Sequence, residues 1–223
     1  MIKTKIILAR FSHDGRLLER REQESRSWIR HFFDLLYPIA AATDLPLIND
    51  IGAVPRELCS EPASNALNTG PSPNLVVGST PGNIQQLVRD GAGSAASCAY
   101  KEEILGEDIG IVVGTGGGGP TPTDDKLATK ILHGETAGTL LYGGTELYGL
   151  TFAGPNGQFT IRRYLTNVLG GNILVTEAGI YSPGMSTTGG TAYLFCIARD
   201  VFGAVTVANT EILMVTYVVQ ITV

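Results

Sequence analysis

The chain has 223 residues, enough to bury a sizeable core as one large domain or two small ones. Charged residues make up only 17% of it, against about 25% in ordinary soluble proteins, so either the core is large or partners cover part of the surface. The 28 glycines and 11 prolines follow no period, which excludes collagen and suits many turns between short strands.

Residues 1–30 carry eight of the 16 Lys and Arg but only four acids, so the rest of the chain is acidic. Glu19, Glu22 and Glu24 interleave with Arg16, Arg20 and Arg21, which reads as the mixed solvated face of a hairpin rather than a basic arm for nucleic acid. Residues 1–10 alternate charged and apolar groups, so no secretory leader is expected and the chain is made in a cytoplasm. With no apolar run of about 18 residues, no helix is expected to span a membrane.

In chain order, Ile2 to Phe11 reads as a strand. Ser12-His13-Asp14-Gly15 is a turn with Gly15 supplying positive φ, and Arg16 to Glu24 returns as a second strand. Such a hairpin is marginal alone and needs cover. Ser25 or Ser27 is placed to cap a helix from Trp28 to Tyr37, ended by Pro38. Trp28, Ile29, Phe32, Phe33, Leu35 and Leu36 make that helix apolar nearly all round, so it is expected to be buried on more than one side. Six prolines between Pro46 and Pro81 mark residues 43–104 as an extended connecting segment, with one short helix from Asn83 to Arg89.

From residue 105 the pattern changes to short strands: Ile109 to Val113, Leu147 to Ala153, Phe159 to Thr166, Asn172 to Tyr181, Ala192 to Arg199, and Glu211 to Val223. Turn signals separate them at Gly154-Pro155-Asn156-Gly157, Gly170-Gly171-Asn172, Pro183-Gly184 and Gly189-Gly190. The expected class is mainly β. An antiparallel β-sandwich or jelly-roll-like domain spans 105–223, preceded by a hairpin-plus-helix unit at 1–42. The last strand has no charge after Glu211, with Val215, Tyr217, Val219 and Ile221 on one face. Such a strand is either central in its sheet or paired with another subunit.

Chemistry-bearing patterns are few. Gly114 to Gly119 matches G-x-G-x-x-G after a strand, but Pro120-Thr121-Pro122 follows where a phosphate-binding helix must open, so it reads as a flexible loop. His13, His31 and His133 stand beside no nucleophile in a recognisable motif. Glu107, Asp108, Asp124 and Asp125 lack calcium-loop spacing, and Thr123 or Asp124 reads instead as the cap of a short helix from Lys126 to Ile131. Arg162-Arg163 reads as the solvated face of a strand in an acidic domain, weak grounds for nucleic acid. Cys59, Cys98 and Cys196 have no metal-ligand spacing. Cys196 reads as a core residue; Cys59 and Cys98 lie in loop-like sequence, open to pairing except in a reducing cytosol. No catalytic residue, cofactor or metal is expected.

Several segments resemble virion-associated structural proteins of tailed bacteriophages. They are Ile109 to Gly116, Asp124 to Ile131 with His133-Gly134, Phe159 to Asn167, and Gly170 to Tyr181. Ile197-Ala198-Arg199-Asp200, Val215-Thr216-Tyr217 and, near the start, Ser25 to Arg30 with Phe32-Phe33 and Leu35-Leu36-Tyr37 belong to the same likeness. The resemblance implies a virion subunit made in the host cytoplasm, partnered by copies of itself and other virion proteins, with no catalytic residues. Trp28, Phe32, Phe33 and Leu36 are the expected interface anchors, with Val215, Tyr217, Val219 and Ile221 as a second set. Two other readings stand beside it. One is a carbohydrate- or receptor-binding sandwich at a fibre tip, using Tyr142, Tyr148 and Tyr181. The other is an extracellular filament joined by strand exchange.

Overall fold

The computed structural model describes residues 2–25, 28, 45–49, 55–60, 75–77, 109–185 and 192–222. Its elements are strands, and no helix occurs among the described residues. Trp28, expected near the start of a helix, forms an isolated antiparallel bridge with Ala198. The remainder of that helix, with Phe32, Phe33 and Leu36, lies outside the described residues, as do the helix at Asn83 to Arg89, Glu107, Asp108, Cys98, His31 and the Gly189-Gly190 turn.

Strand β1 (Ile2–Phe11) turns through residues 12–16 into β2 (Leu17–Ser25), with Gly15 at φ 82°. Gly15 N–H donates to Ser12 O at 2.9 Å and the Ser12 hydroxyl bonds Asp14, so the turn is closed by the residues that signalled it. Three short strands, β3 (Leu45–Asn49), β4 (Pro55–Ser60) and β5 (Leu75–Val77), form a small antiparallel sheet inside the stretch expected to be an extended connector. Cys59 therefore stands in a strand rather than a loop.

The larger strands are β6 (Gly110–Gly114), β7 (Leu141–Ala153), β8 (Asn156–Thr166), β9 (Ile173–Met185), β10 (Ala192–Val207) and β11 (Ile212–Thr222). They make a five-stranded sheet in the order β2-β1-β11-β8-β7 and a three-stranded sheet in the order β10-β9-β6. Neighbours pair antiparallel throughout. The β7–β8 turn is Gly154-Pro155, with Gly154 at φ 60°, the hand a two-residue hairpin turn needs. β7 begins six residues earlier than expected because Gly143-Gly144 is absorbed as a bulge rather than breaking the strand. Pro183-Gly184 likewise stays inside β9 rather than turning. β6 reaches β9 only as far as Tyr181, so among the described strands β10 alone pairs with β9 at Pro183.

The alternation in β11 decides which side is buried. Leu213, Val215, Tyr217 and Val219 face the core, in rows with Leu8 and Ile6 of β1 and with Leu165 and Ile161 of β8. Ala178, Ile180 and Tyr181 of β9, Ile111 and Val113 of β6, and Phe202, Val205 and Val207 of β10 join the same apolar cluster, so both sheets contribute to one core. β11 is thus central, paired on both sides within its own chain, which settles the alternative left open by its missing charges. Residues 2–25 share a sheet with β7, β8 and β11.

This arrangement predicts that a chain starting at residue 26 loses cooperative folding. Removal of β1 and β2 leaves Val215, Tyr217 and Val219 on a bare edge, a strong template for aggregation. Thermal denaturation by circular dichroism checks it, and a soluble truncated protein with an unchanged transition would refute it.

Candidate functional site

The most concentrated polar arrangement lies against β9, beneath residues 115–131. Glu177 is fully buried in a strand whose neighbours Val175, Ala178 and Ile180 are apolar. A buried carboxylate is costly unless its lone pairs are filled. Oε1 accepts from Gly116 N–H at 3.0 Å and Thr129 N–H at 2.9 Å; Oε2 accepts from Ala128 N–H at 3.1 Å and Arg199 Nε at 2.9 Å.

Arg199, from β10, is 4% exposed and spreads its guanidinium over three acceptors. Beyond Glu177 it donates through Nη1 to Asp124 Oδ2 at 2.6 Å and through Nη2 to Gly118 O at 3.0 Å. Asp124 in turn accepts from Thr121 N–H at 2.8 Å and the Thr121 hydroxyl at 2.7 Å. Partial burial works against ionisation of Asp124, but the Thr121 hydrogen bonds and the Arg199 ion pair outweigh it and hold the carboxyl below its ordinary value. Tyr181 accepts Leu127 N–H on its hydroxyl at 2.9 Å, and Thr176 donates to Gly116 O at 2.8 Å.

The loop is therefore ordered by side chains beneath it, correcting its reading as flexible. Gly114 and Gly116 are required by proximity: a Cβ on either would collide with the Glu177 carboxylate. The amide that a phosphate-binding loop would offer to a ligand is used internally, at Gly116. The expected helix from Lys126 to Ile131 is also absent, because Leu127, Ala128 and Thr129 give their N–H groups to Tyr181 and Glu177 instead of to preceding carbonyls. The loop returns beside β6 through Thr115 N–H to Thr129 O at 2.8 Å and Ile131 N–H to Val113 O at 2.9 Å.

Two further buried polar groups tie elements together. Arg163 is fully buried, correcting its placement on a solvated face. Its period-two partners on β8 are Ile161 and Leu165, so it points into the core, while Arg162 takes the outer side with Glu146. Arg163 donates to Gly143 O at 2.7 Å, Ile109 O at 3.0 Å and Ile111 O at 2.8 Å, and lies 4.8 Å over the Tyr142 ring. It thus bonds β8 to the other sheet through backbone carbonyls. On the opposite flank Ser25 donates to Asp200 Oδ2 at 2.8 Å, and Trp28 Nε1 donates to Thr4 Oγ1 at 2.9 Å. Burial, with the nearby Asp200 carboxylate, pushes the Tyr217 phenol well above its usual range.

The residues expected at interfaces are dispersed. Trp28 is half-buried against the chain's own core. Val215 and Tyr217 are fully buried and Val219 nearly so, which leaves them no surface for a partner, while Ile221 is exposed. A terminal strand already paired on both sides is not free for exchange into a neighbour. Of the candidate glycan platforms, Tyr142 and Tyr181 are buried and Tyr148 is exposed. Cys196 is buried, and desolvation raises its thiol well above the reactive range, as suits a core residue. No group of three or more metal-ligating side chains occurs among the described residues, and no described helix is long and apolar enough to cross a membrane. Glu177 was legible only as a lone charge inside an apolar strand, and Arg199 only as half of an Arg-Asp pair inside another, signals that do not say what either holds.

Comparison of the chain with protein-family models, with curated proteins and with solved structures gives no match.

Two outcomes follow from this geometry. Glu177→Gln puts a donor where loop amides also donate and strips Arg199 of its buried anion. It should cost about 3 to 5 kcal/mol in urea unfolding and speed amide exchange at Gly116, Ala128 and Thr129. Unchanged stability and exchange would show that the loop is held by something else. Asp124 has a depressed folded pKa, so its contribution is present above the unfolded value of 3.8 and is lost as pH falls through the lower folded value. The stability gap between the wild type and Asp124→Asn should accordingly stay level above about pH 5 and close in stronger acid, as followed by melting temperature across pH.

Proposed function

We propose that this chain is a structural subunit of a tailed-bacteriophage virion, a capsid-decoration, minor head, neck or tail-associated protein, acting through assembly with itself and other virion proteins. Its larger unit is an antiparallel β-sandwich built from the five- and three-stranded sheets around their common core. The reading is carried by where the resembling segments fall. Residues 109–116 are β6 and the start of the clamped loop, 124–134 its return, 159–167 β8 and 170–181 β9. Within them, Asp124, Arg163 and Glu177 are all committed to internal hydrogen bonds or ion pairs, so their chemistry serves the shape of the scaffold. Such a use of charge suits a subunit whose task is to hold a surface in place. The test is electron microscopy of purified particles labelled with antibodies against the chain. Labelling at one position on every particle is expected; particles that carry none of the protein sink the reading.

A carbohydrate- or receptor-binding role at a fibre tip is the second reading. One observation favours it: on the outer face of the five-stranded sheet the Arg162 guanidinium lies 4.2 Å from the Tyr148 ring and 5.1 Å from the Tyr164 ring. The guanidinium lies over the rings, and a sugar can stack on the outer side of this group while Glu146 and Arg162 bond its hydroxyls. A glycan array on which the protein finds no ligand disposes of this role.

A further inference from the structure

Unpaired sheet edges must be blunted or used, because their free N–H and C=O groups accept any passing strand. Three of the four edges in the larger unit are dealt with. β2 carries five charged residues among its nine. β6 is covered by the loop return at residues 129–131. β10 is met by Arg21, whose guanidinium donates to Gly203 O and Ala204 O, by Gln23, which donates to Val201 O, and by the Trp28–Ala198 bridge.

The fourth edge is β7. Its start is occupied, since Tyr142 N–H donates to His133 Nδ1 at 3.1 Å. From Gly143 to Ala153 it pairs with β8 alone among the described residues and carries a single charge, Glu146. Its large side chains are open: Leu147 is 44% exposed, Tyr148 43% and Phe152 77%. Register shifts on either side leave Thr145 to Tyr148 as the regular stretch between two bulges.

We propose that this stretch of β7 pairs antiparallel with β7 of a second copy, joining two five-stranded sheets across a two-fold axis centred on Leu147. The inference rests on the reading of the chain as an assembling subunit and names one of its contacts. A two-fold axis normal to a sheet keeps each side chain on its own side, and directly opposite residues of an antiparallel pair face the same side, so the axis must run midway between one residue and its own copy. Centred on Glu146 it would set two carboxylates face to face, which is destabilising. Centred on Leu147 it stacks Leu147 on its own copy and sets Glu146 opposite the partner's Tyr148. Within one chain the Tyr148 hydroxyl already donates to Glu146 Oε2 at 2.5 Å, and Arg162 donates to the same oxygen at 2.9 Å. Each acid thus keeps its own phenol and cation and meets no second acid, whereas the register centred on Glu146 is repulsive. The bulges confine it to a short stretch and prevent open-ended stacking.

The test uses the full chain. Sedimentation should give a dimer or a multiple of it, and Leu147→Lys, which sets two ammonium groups against each other on the axis, should fall to the monomer with unchanged circular dichroism. Independently, Leu147→Cys in a background carrying Cys59→Ser and Cys98→Ser should be joined to its own copy by a short bifunctional thiol reagent, while Arg20→Cys on β2 should not. A wild type that is monomeric at every concentration, or assembly that survives Leu147→Lys with no Leu147→Cys cross-link, overturns the edge contact. The second of these leaves the assembling-subunit reading intact, and labelling of particles judges that reading separately.

Discussion

The pairing of the first strand with the last is the contact on which the rest of the structure depends. β11 carries no charged residue, and it can be buried only if both of its edges and its inner face are covered. β8 covers one edge from nearby in sequence; β1 covers the other from the far end of the chain, ten residues in unbroken register from Ile2↔Ile221 to Phe11↔Ile212. Closing so long a loop costs entropy before any of the Ile6, Leu8, Val215 and Tyr217 contacts form, so folding should be slow and governed by topology. Once formed, the same contact gives β2 its place, and with it the Arg21 and Gln23 side chains that reach β10.

Buried charge is the second theme. Arg163, Glu177 and Arg199 are each enclosed, and each is satisfied chiefly by backbone or by another buried charge. A buried ion pair adds little net stability compared with apolar packing, because desolvation offsets the attraction. What it supplies is directionality. Glu177 accepts from three loop amides whose positions it thereby specifies, and Arg199 adds the loop carbonyl of Gly118 and the Asp124 carboxylate. A Gly-rich, Pro-bounded stretch with little apolar content could not order itself; the clamp below does it. The sharp demand for glycine at positions 114 and 116 follows from the same closeness.

Among the described residues, the buried polar groups and the outward-facing ones do different work. The polar groups brought together inside are spent on shape, and the features left over are outward: an aromatic–guanidinium face at Tyr148, Arg162 and Tyr164, and the adjoining edge of β7. Among the described residues, three sheet edges are protected by different means and the fourth, β7, carries a single charge, Glu146.

Local pattern determined much of this protein. Period-two alternation and Gly, Pro and Asn turns located β1, β2, β6, β8 and β11, the greater part of β9 and about half of β7 and β10, because those signals depend on neighbours in the chain. Cys196 was legible as core for the same reason. What the sequence left undecided depended on which strand lies beside which. The bare apolar strand at the C-terminus is equally consistent with a centre or an interface until β1 takes its free side. Arg163 shares its parity with Ile161 and Leu165, yet only the carbonyls of Ile109, Ile111 and Gly143 make it tolerable in the core. The stretch from Lys126 to Ile131 has helical residues, and its amides were claimed instead by Glu177 and Tyr181, more than forty positions away in the chain. Local propensity is worth tenths of a kcal/mol per residue, about an order of magnitude less than leaving a buried carboxylate unsatisfied, so tertiary structure decided wherever a buried charge was at stake.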